Sequence, residues 1–468
     1  MRPAAQPGRV QELLLEVELH RGQMRRALRE ELRVAIQDGR LVAGTRLPAS
    51  RRLAADIGVS RGVVTDAYEQ LAAEGYLEVN ARSAPIVAAV VAPAPARREP
   101  PPRTWRFDFD AVSPDASLFP RRAWVRAVER VLRAAPDGAL DYADHRGRPE
   151  LRAALSAYLA RVRGVRIDAG RIVVTQGFTQ ALDLLCSVLL ARGATAVAME
   201  TPSHAGLWKT VTRSGLELTG CPVDANGLRT DELADVHAAA IVVAPAHQFP
   251  TGAVLAPDRR AALLDWAAAR GSLIIEDDYD AEFRYDRPAV GAVQGLAPRS
   301  VAHVGTASKT LVPAMRLGWI SAPPDLVDEL CEHKSSADSG SPAVDQLAFA
   351  DLLSSGEYER HIVRARRAYR RRRDMLVRAL RWELPGLDVG GAAAGMQLLL
   401  RLPDQADDVG IAHAARARGI GVSALSPLHL VPRSQRGLLL GYGRLPEPSI
   451  VRAAAALSKV VLERMERR

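Results

Sequence analysis

Lys309 has the most informative neighbours of any residue in this sequence. Two hydroxyl side chains, Thr306 and Ser308, come just before it, and Arg316 follows seven residues later. A lysine amine can form a Schiff base with an aldehyde, while hydroxyl groups and a guanidinium are suited to binding a phosphate group. This segment therefore predicts a site that attaches a phosphorylated aldehyde through its lysine.

A second group of polar residues ends an apolar run further up the chain. The stretch 273–276 has the composition of a buried strand, and Asp277, Asp278 and Tyr279 follow it directly. A carboxylate at a strand end can pair with the protonated nitrogen of a pyridine ring. Together with Lys309, these residues predict a site for pyridoxal 5′-phosphate (PLP), and either aspartate can be the partner of the ring nitrogen.

The chain is expected to fold as more than one domain, because 468 residues are too many for a single hydrophobic core. Prolines crowd residues 92–103, where they favour an extended linker over helix or sheet. The predicted domains are therefore a head at 12–91, a linker at 92–104 and a body at 105–468.

Composition narrows the class of protein. A hydrophobic content of 48% and a charged content of 25% are typical of a soluble globular chain. The sequence predicts no membrane span and no secretion signal, and its three scattered cysteines indicate reduced thiols in the cytoplasm. The net charge of +9 is compatible with nucleic-acid binding but does not establish it.

The head has the pattern of three helices and a strand pair. Apolar residues recur at every fourth position between residues 23 and 38, which predicts an amphipathic helix. Two shorter helices, Arg51–Ile57 and Arg61–Glu74, are predicted to begin behind the N-caps Ser50 and Ser60. The arrangement predicts a winged helix-turn-helix, whose second helix enters the major groove of DNA. Its first residues, Ser60, Arg61 and Gly62, are then nearest the DNA.

This head resembles the GntR family of bacterial repressors. The matching segments are IQDGRL (36–41), GTRLP (44–48), RRLA (51–54), GVSR (58–61) and AYEQLAAEGYL (67–77). The resemblance implies that Arg51, Ser60 and Arg61 contact DNA. The wing tip at 80–85 departs from the glycine-rich sequence usual in the family, and Arg82 is its candidate contact with the minor groove or a phosphate.

The body alternates short apolar runs with helical stretches. The apolar runs are 172–175, 196–199, 241–244, 273–276 and 301–304. Apolar strands separated by helices predict an α/β fold with a mainly parallel sheet covered on both faces. The loops that follow parallel strands meet at one edge of the sheet, where ligands bind. A long basic helix is predicted near 341–382 and a final helix at 447–467.

The body resembles fold-type I aminotransferases over its whole length. With the head and the proline-rich linker, it has the domain order of the MocR subfamily of GntR regulators. The resemblance implies that Lys309 is the Schiff-base lysine, that Asp277 pairs with the pyridine nitrogen and that Tyr279 bonds to the phenolic oxygen of PLP. Asp277 is chosen over Asp278 by the register of the motif alone.

The same resemblance implies contacts to the PLP phosphate. They come from backbone N–H groups at the start of a helix, which attract anions, and from three side chains further along the chain. The N–H groups are those of Gly177 and Phe178, and the side chains are Thr306, Ser308 and Arg316.

Three further positions concern the partner subunit and the PLP ring. Tyr142 matches a tyrosine that reaches the phosphate in a neighbouring subunit, so the resemblance also implies a homodimer. His204 stands where the family usually has a ring-stacking tyrosine. Phe249 stands where aminotransferases have the asparagine of an Asn-Pro-x-Gly turn, and His247 and Gln248 are the candidates for its polar role.

One position argues against an enzyme. Aminotransferases hold the substrate carboxylate with an arginine on a late strand, in a bidentate pair that is hard to replace. Leu439 stands at that position, flanked by Arg433, Arg436 and Arg444. An amino-acid substrate would therefore be held poorly, although PLP could still bind.

The predicted function is a PLP-binding transcription regulator without enzyme activity, which binds an operator in duplex DNA as a homodimer. PLP itself is the expected effector, as in the PdxR-type members of the subfamily, which control vitamin B6 synthesis. Two alternatives stay open: a sensor of an amino compound that displaces Lys309 from PLP, and a working PLP-dependent aminotransferase.

Overall fold

The computed structural model describes residues 24–79, 83–89, 104–142, 144–286, 290–391, 394–431 and 435–466. The chain divides into two compact units, Met1–Pro102 and Arg103–Arg468. The proposed wing contact Arg82 lies outside the described residues, as does Arg433.

The first unit is the head. Its helices are α1 (Met24–Gln37), α2 (Ser50–Asp56) and α3 (Arg61–Ala73), and its antiparallel strands are β1 (Leu77–Glu78) and β2 (Ile86–Val87). Leu28, Leu32 and Ile36 of α1 are buried against α3, as their four-residue spacing predicts. The predicted winged helix-turn-helix topology is therefore confirmed.

The helix starts in the head differ in one detail from the sequence prediction. Ala49 occupies the N-cap of α2, and Ser50 is already the first helical residue. Ser60 does hold the N-cap position of α3 with an extended backbone, but its side chain accepts no capping hydrogen bond. The hydroxyl of Tyr68 donates instead to the carbonyl of Pro48 at 2.9 Å and ties α3 to the loop before α2.

The second unit is the body, an α/β unit with a large and a small sheet. Its strands are β3 (Phe107–Asp108), β4 (Ile172–Thr175), β5 (Ala196–Thr201), β6 (Glu217–Asp224), β7 (Gly227–Leu228), β8 (Ala240–Val243), β9 (Leu273–Asp278), β10 (Val301–Thr306), β11 (Gly318–Ser321), β12 (Val389–Gly390), β13 (Gln397–Leu402), β14 (Ile420–Gly421), β15 (Ser423–Ala424) and β16 (Arg436–Gly441). Its helices are α4 (Arg121–Ala134), α5 (Pro149–Arg163), α6 (Phe178–Ala191), α7 (Ala205–Arg213), α8 (Pro257–Arg270), α9 (Ala307–Thr310), α10 (Val327–Asp338), α11 (Ala343–Ser354), α12 (Glu357–Glu383), α13 (Asp408–Ala417) and α14 (Ile450–Glu466).

The large sheet has the strand order β4-β11-β10-β9-β8-β5-β6-β7. Strands β10, β9, β8, β5 and β6 pair in parallel, whereas β11 pairs antiparallel with both β4 and β10. Strand β4 therefore runs in the same direction as the parallel group. The small sheet, β12-β13-β16-β15, is antiparallel throughout.

Helices cover both faces of the large sheet. Because side chains alternate along each strand, neighbouring residues of one strand are buried against helices on opposite faces. On β9, Ile275 is buried in one apolar cluster with residues of α6 such as Leu182. Its neighbour Ile274 is buried in another cluster with Leu263 and Trp266 of α8. The predicted mainly parallel sheet with two covered faces is therefore confirmed.

The long helix predicted near 341–382 is in fact two helices. Gly356 separates α11 from α12 and adopts a left-handed conformation, with φ of 70°, which ends one helix and redirects the chain. Helix α12 alone contains 27 residues. No described helix combines the length and hydropathy of a membrane span.

Candidate cofactor site

A cavity of about 240 Å³ lies at one edge of the large sheet. The loops that follow β4, β5, β8, β9 and β10 all contribute to its wall, because these five strands run in the same direction. Met396 and Gln397, from the start of β13, close another side. The structure thus brings the five sequence-predicted loops to one place.

Lys309 lies in this cavity on the short helix α9, directly after β10. Its ammonium donates a hydrogen bond to the carbonyl of Val112. Burial lowers the pKa of Lys309, although the carboxylates of Asp280 and Asp277 partly oppose this shift. A neutral amine is the nucleophilic form, so the site favours attack on an aldehyde.

Two adjacent aspartates at the end of β9 face in opposite directions. Asp277 lines the cavity, and its buried Oδ1 atom has no hydrogen-bond partner among the described residues. Asp278 points away and is held by Arg163 Nε at 2.7 Å and His303 Nε2 at 2.8 Å. Only Asp277 is therefore available to a ring nitrogen in the cavity.

The electrostatics of Asp277 fit such a ligand. Burial raises its pKa well above the usual range, and the carboxylates of Asp278 and Asp280 raise it further. Protonation of the carboxyl group is thus favoured when it has no partner. A pyridine nitrogen beside it can take that proton and leave an ion pair in its place.

Tyr279 is buried beside the cavity, with its hydroxyl held from two sides. Gln397 Nε2 donates to this hydroxyl at 3.3 Å, and His247 Nδ1 lies 3.0 Å from it. The same nitrogen of His247 lies 3.0 Å from Asp280, which fixes the imidazole ring. His247 therefore supports Tyr279 from outside the cavity wall. Gln248 bonds instead to its own loop and to the carbonyl of Pro202.

The opposite end of the cavity can hold a phosphate. Gly177 caps the start of α6 with φ of 103°, so the first N–H groups of the helix are free to meet an anion. The Arg316 guanidinium lies against it, 3.4 Å from where a Cβ atom on Gly177 would stand. Arg316 itself has φ of 46°, an uncommon value for a residue with a side chain. A strained residue at this point indicates a functional constraint.

The remaining predicted phosphate contacts are Phe178, Thr306 and Ser308. All three line the cavity, as the sequence predicts. The hydroxyl of Thr306 accepts from the backbone N–H of Ser308 at 3.2 Å and so fixes the turn that carries Lys309. The residues present therefore fit PLP at its ring nitrogen, its aldehyde carbon and its phosphate.

The aromatic wall of the cavity consists of His204 and Phe249. Their ring centroids are 5.9 Å apart and the planes are tilted by 52°. Partial burial lowers the pKa of His204, and the charge of Lys309 lowers it further. A neutral imidazole is the form that can stack on a flat ring, so His204 is compatible with the family's aromatic position.

The position expected to carry a carboxylate-binding arginine is apolar and does not line the cavity. Leu439 on β16 is only 1% exposed and belongs to a buried cluster with Leu399, its cross-strand neighbour, and Leu425. Phe249 packs against this cluster from the cavity side. Of the flanking arginines, Arg444 pairs with Asp108 and Asp110 on another segment. Among the described residues that line the cavity, Arg316 is the one arginine.

Two groups of predicted site residues are not among those that line the cavity. Tyr142 is 90% exposed and does not line the cavity of its own chain. In the head, the residues predicted to contact DNA are exposed at the starts of the second and third helices. These head residues are Arg51, Ser60, Arg61 and Gly62.

Polar residues of the cavity wall that sequence reasoning did not select include Glu200 and Gln397. Glu200 lies near the end of β5 inside the protein, and burial raises its pKa to about 7, while the N–H group of Ala244 opposes this by donating to it at 3.0 Å. An acid directly after an apolar run was a signal that could have revealed it. Gln397 carries no such signal, because it comes from a different sheet.

Comparisons with known proteins agree with this architecture. Residues 24–87 match the family of bacterial regulatory proteins called gntR, and residues 113–439 match aminotransferase class I and II. The chain is 33% identical over 453 residues to the probable rhizopine catabolism regulatory protein MocR of Rhizobium meliloti, which covers 92% of each chain.

Two further similarities cover the whole chain and the body. The chain is 31% identical over 444 residues to the HTH-type pyridoxine biosynthesis transcriptional regulator PdxR of Corynebacterium glutamicum, covering 93% of this chain and 95% of that one. An archaeal alanine:glyoxylate aminotransferase has a similar structure, with a TM-score of 0.71 and 29% identity, over 76% of this chain and 91% of that chain.

The chain therefore belongs to the GntR-type transcription regulators that carry an aminotransferase-like body. Within that class it is a member of the MocR subfamily.

Proposed function

We propose that this chain is a cytoplasmic, homodimeric regulator that binds an operator through its head and responds to PLP bound in its body. The observation that carries the proposal is the contrast between two sets of residues. Those that would meet PLP include an unsatisfied carboxyl oxygen and a helix start without a side-chain cap, whereas the position expected to hold an amino-acid carboxylate is Leu439, which is buried and does not line the cavity.

The residues of the cavity have separate tasks in this proposal. Lys309 supplies the amine for covalent attachment, and Asp277 holds the proton that the ring nitrogen takes. Gly177, Phe178 and Arg316 bind the phosphate, helped by the hydroxyl groups of the α9 turn. When bound, PLP supplies an aldehyde and an electron-withdrawing ring. Tyr142 of a second copy is proposed to complete the phosphate site from outside.

PLP is favoured as the effector. In the described cavity wall the cationic side chains are Arg316 and Lys309, and PLP already uses both. An amino-acid ligand would therefore have no cationic partner for its carboxylate there. A buried carboxylate without a partner costs several kcal/mol. The similarity to a pyridoxine-biosynthesis regulator supports control of vitamin B6 synthesis as the biological role. The alternative that remains compatible with Leu439 is a sensor of an amino compound without a carboxylate.

The test is a mobility-shift titration of the full chain on its own upstream DNA at fixed salt, with and without PLP. We expect specific binding whose affinity changes by roughly 5- to 150-fold with PLP, the usual range for coupled sites. Because coupling is reciprocal, the same DNA should change the affinity for PLP by the same factor. The Arg61→Ala variant should lose DNA affinity and keep PLP binding.

The possible outcomes separate the candidate functions. A response to an added amine, with none to PLP alone, would replace PLP by an amino compound as effector. Absence of specific DNA binding, together with turnover of an amino donor, would replace the regulator by an enzyme. Reciprocal coupling between PLP and DNA is the result that neither alternative produces.

A further inference from the structure

Helix α12 carries a mainly basic face on the surface of the body. Six exposed arginines lie within about 100° of one side of this helix at 100° per residue. They are Arg360, Arg364, Arg367, Arg371, Arg378 and Arg381. With a rise of 1.5 Å per residue the stripe is about 32 Å long, which is close to one turn of duplex DNA. We call this stripe the α12 basic face.

The charges of this face are only partly compensated. Arg360 pairs with Glu357 at 3.3 Å, and Arg371 pairs with Glu447 at 3.0 Å. Asp374, an acid that lies within the stripe between Arg371 and Arg378, is paired with Arg373 at 3.0 Å and with Arg370 at 4.0 Å. The other four arginines of the face have no carboxylate partner within the described ranges. They are Arg364, Arg367, Arg378 and Arg381.

Other exposed arginines of the body include paired ones and also ones, such as Arg166 and Arg299, without a carboxylate partner among the described residues; the α12 basic face differs because four such arginines share one side of one helix. Arg192 contacts both Glu329 at 2.6 Å and Asp325 at 2.9 Å, and Arg213 reaches Asp183 at 3.5 Å. Four unpaired charges on one helix are a large share of a net charge of +9. A polyanion is the partner that such a face attracts.

We propose that the α12 basic face binds the phosphate backbone of DNA that flanks the site held by the head. The inference rests on the proposed function, because the head is what brings duplex DNA to the body. Non-specific backbone contacts have dissociation constants of roughly 10⁻⁴ to 10⁻⁶ M. Covalent connection to a head already on DNA raises the effective concentration to about the millimolar range, which is enough to occupy such a weak site.

The experiment measures the salt dependence of DNA affinity for the full chain. Two duplexes from the upstream region are compared: a short one trimmed to the minimum that retains specific binding, and a long one with flanks of one helical turn on each side. The test variant is the double substitution Arg364→Ala/Arg367→Ala. The control is Arg166→Ala/Arg299→Ala, which lowers the net charge equally on exposed positions outside α12.

Each lost phosphate contact lowers the slope of log affinity against log salt by about 0.9. The Arg364→Ala/Arg367→Ala variant removes four arginines from the proposed homodimer, two facing each flank, so we expect it to lose roughly 3.6 units of slope on the long duplex and none on the short duplex. That loss makes the affinity ratio between 50 and 200 mM salt about 150-fold smaller. The control double variant should keep the wild-type slope, and Arg364→Lys/Arg367→Lys should restore it, because lysine also binds phosphate.

An unchanged slope on the long duplex, or an equal loss on both duplexes, would overturn the α12 proposal while leaving the regulator intact. Equal losses in the control variant would mean that only the net charge matters, and would overturn it as well. Absence of specific wild-type binding to either duplex would overturn the proposed function and this inference together.

Discussion

Both faces of strand β9 carry acidic side chains, but these differ in whether the protein supplies their hydrogen-bond partners. On the face away from the cavity, Asp278 is bound by Arg163 and His303, and Glu276 accepts two backbone N–H bonds at 2.8 and 2.9 Å. On the cavity face, Asp277 has a buried oxygen with no partner in the described structure. Buried polar groups are normally satisfied, so this oxygen, which belongs to a residue that lines the cavity, indicates where a ligand can bind.

The protonation states follow the same division. Burial alone would raise the pKa of Asp278, but the guanidinium of Arg163 and the imidazole of His303 hold it below its usual range. Asp277 is equally deep but lacks a cation in contact, so its pKa is raised. The acids on one face of the strand are thus satisfied by protein groups, whereas Asp277 on the other face is available to a ligand.

The largest effect is expected at the covalent link. Lys309→Ala should abolish the adduct that borohydride traps between the chain and PLP, because no other lysine lies in the described cavity wall. Mass spectrometry of the reduced protein measures this directly. The exposed Lys209 on α7 provides the control, and Lys209→Ala should trap PLP like the wild type. An adduct retained by Lys309→Ala would show that the attachment site is elsewhere.

A pair of isosteric substitutions tests the division between the two faces. Asp278→Asn should lower the free energy of unfolding by about 3 kcal/mol, because it leaves the buried Arg163 without a counter-charge. Asp277→Asn should leave stability within about 1 kcal/mol but weaken PLP binding by about 10- to 100-fold, the value of a hydrogen bond to a charged group.

Urea unfolding followed by tryptophan fluorescence, combined with PLP titration, separates these two effects. The signal reports the body alone, because the six tryptophans of the chain all lie at or beyond residue 105. If Asp278→Asn weakens PLP binding more than Asp277→Asn does, the assignment of the two faces is reversed.

The cavity at the edge of the large sheet could be predicted from the sequence because it depends on local patterns. Apolar runs followed by polar loops gave the five loops that line the cavity, and the spacing around Lys309 gave its chemistry. The choice between Asp277 and Asp278 could not be derived from the residues in the same way. It depends on Arg163, which is 115 residues away in the chain and reaches β9 only in the folded body.

Other features escaped prediction for related reasons. The break between α11 and α12 depends on one left-handed glycine in an otherwise helical pattern. Gln397 and His247 meet at the Tyr279 hydroxyl from two different sheets, so no short segment contains their relationship. Sequence reasoning located the elements that carry the chemistry, whereas contacts between distant elements decided which side chains remain available to a ligand.

The last of the expected effects, and the one that depends on pH, concerns Glu200. This acid also lines the cavity without a cationic partner, and burial raises its pKa to about 7, against roughly 4.3 in an unfolded chain. The folded body therefore binds an extra proton between these two values. That contribution to stability is present at low pH and is lost as pH rises through about 7.

Glu200→Gln removes this titration and keeps an oxygen for the N–H group of Ala244. Relative to wild type, the variant should gain about 2 to 3 kcal/mol of unfolding free energy between pH 5 and pH 8. Tryptophan-detected urea unfolding at the two pH values measures the difference, and the exposed Glu217→Gln should show none. Parallel pH dependence in wild type and Glu200→Gln would mean that Glu200 is already ionised in the folded body. The cavity would then contain a cation or water that satisfies its acids, and the contrast between the two faces of β9 would no longer indicate a ligand site.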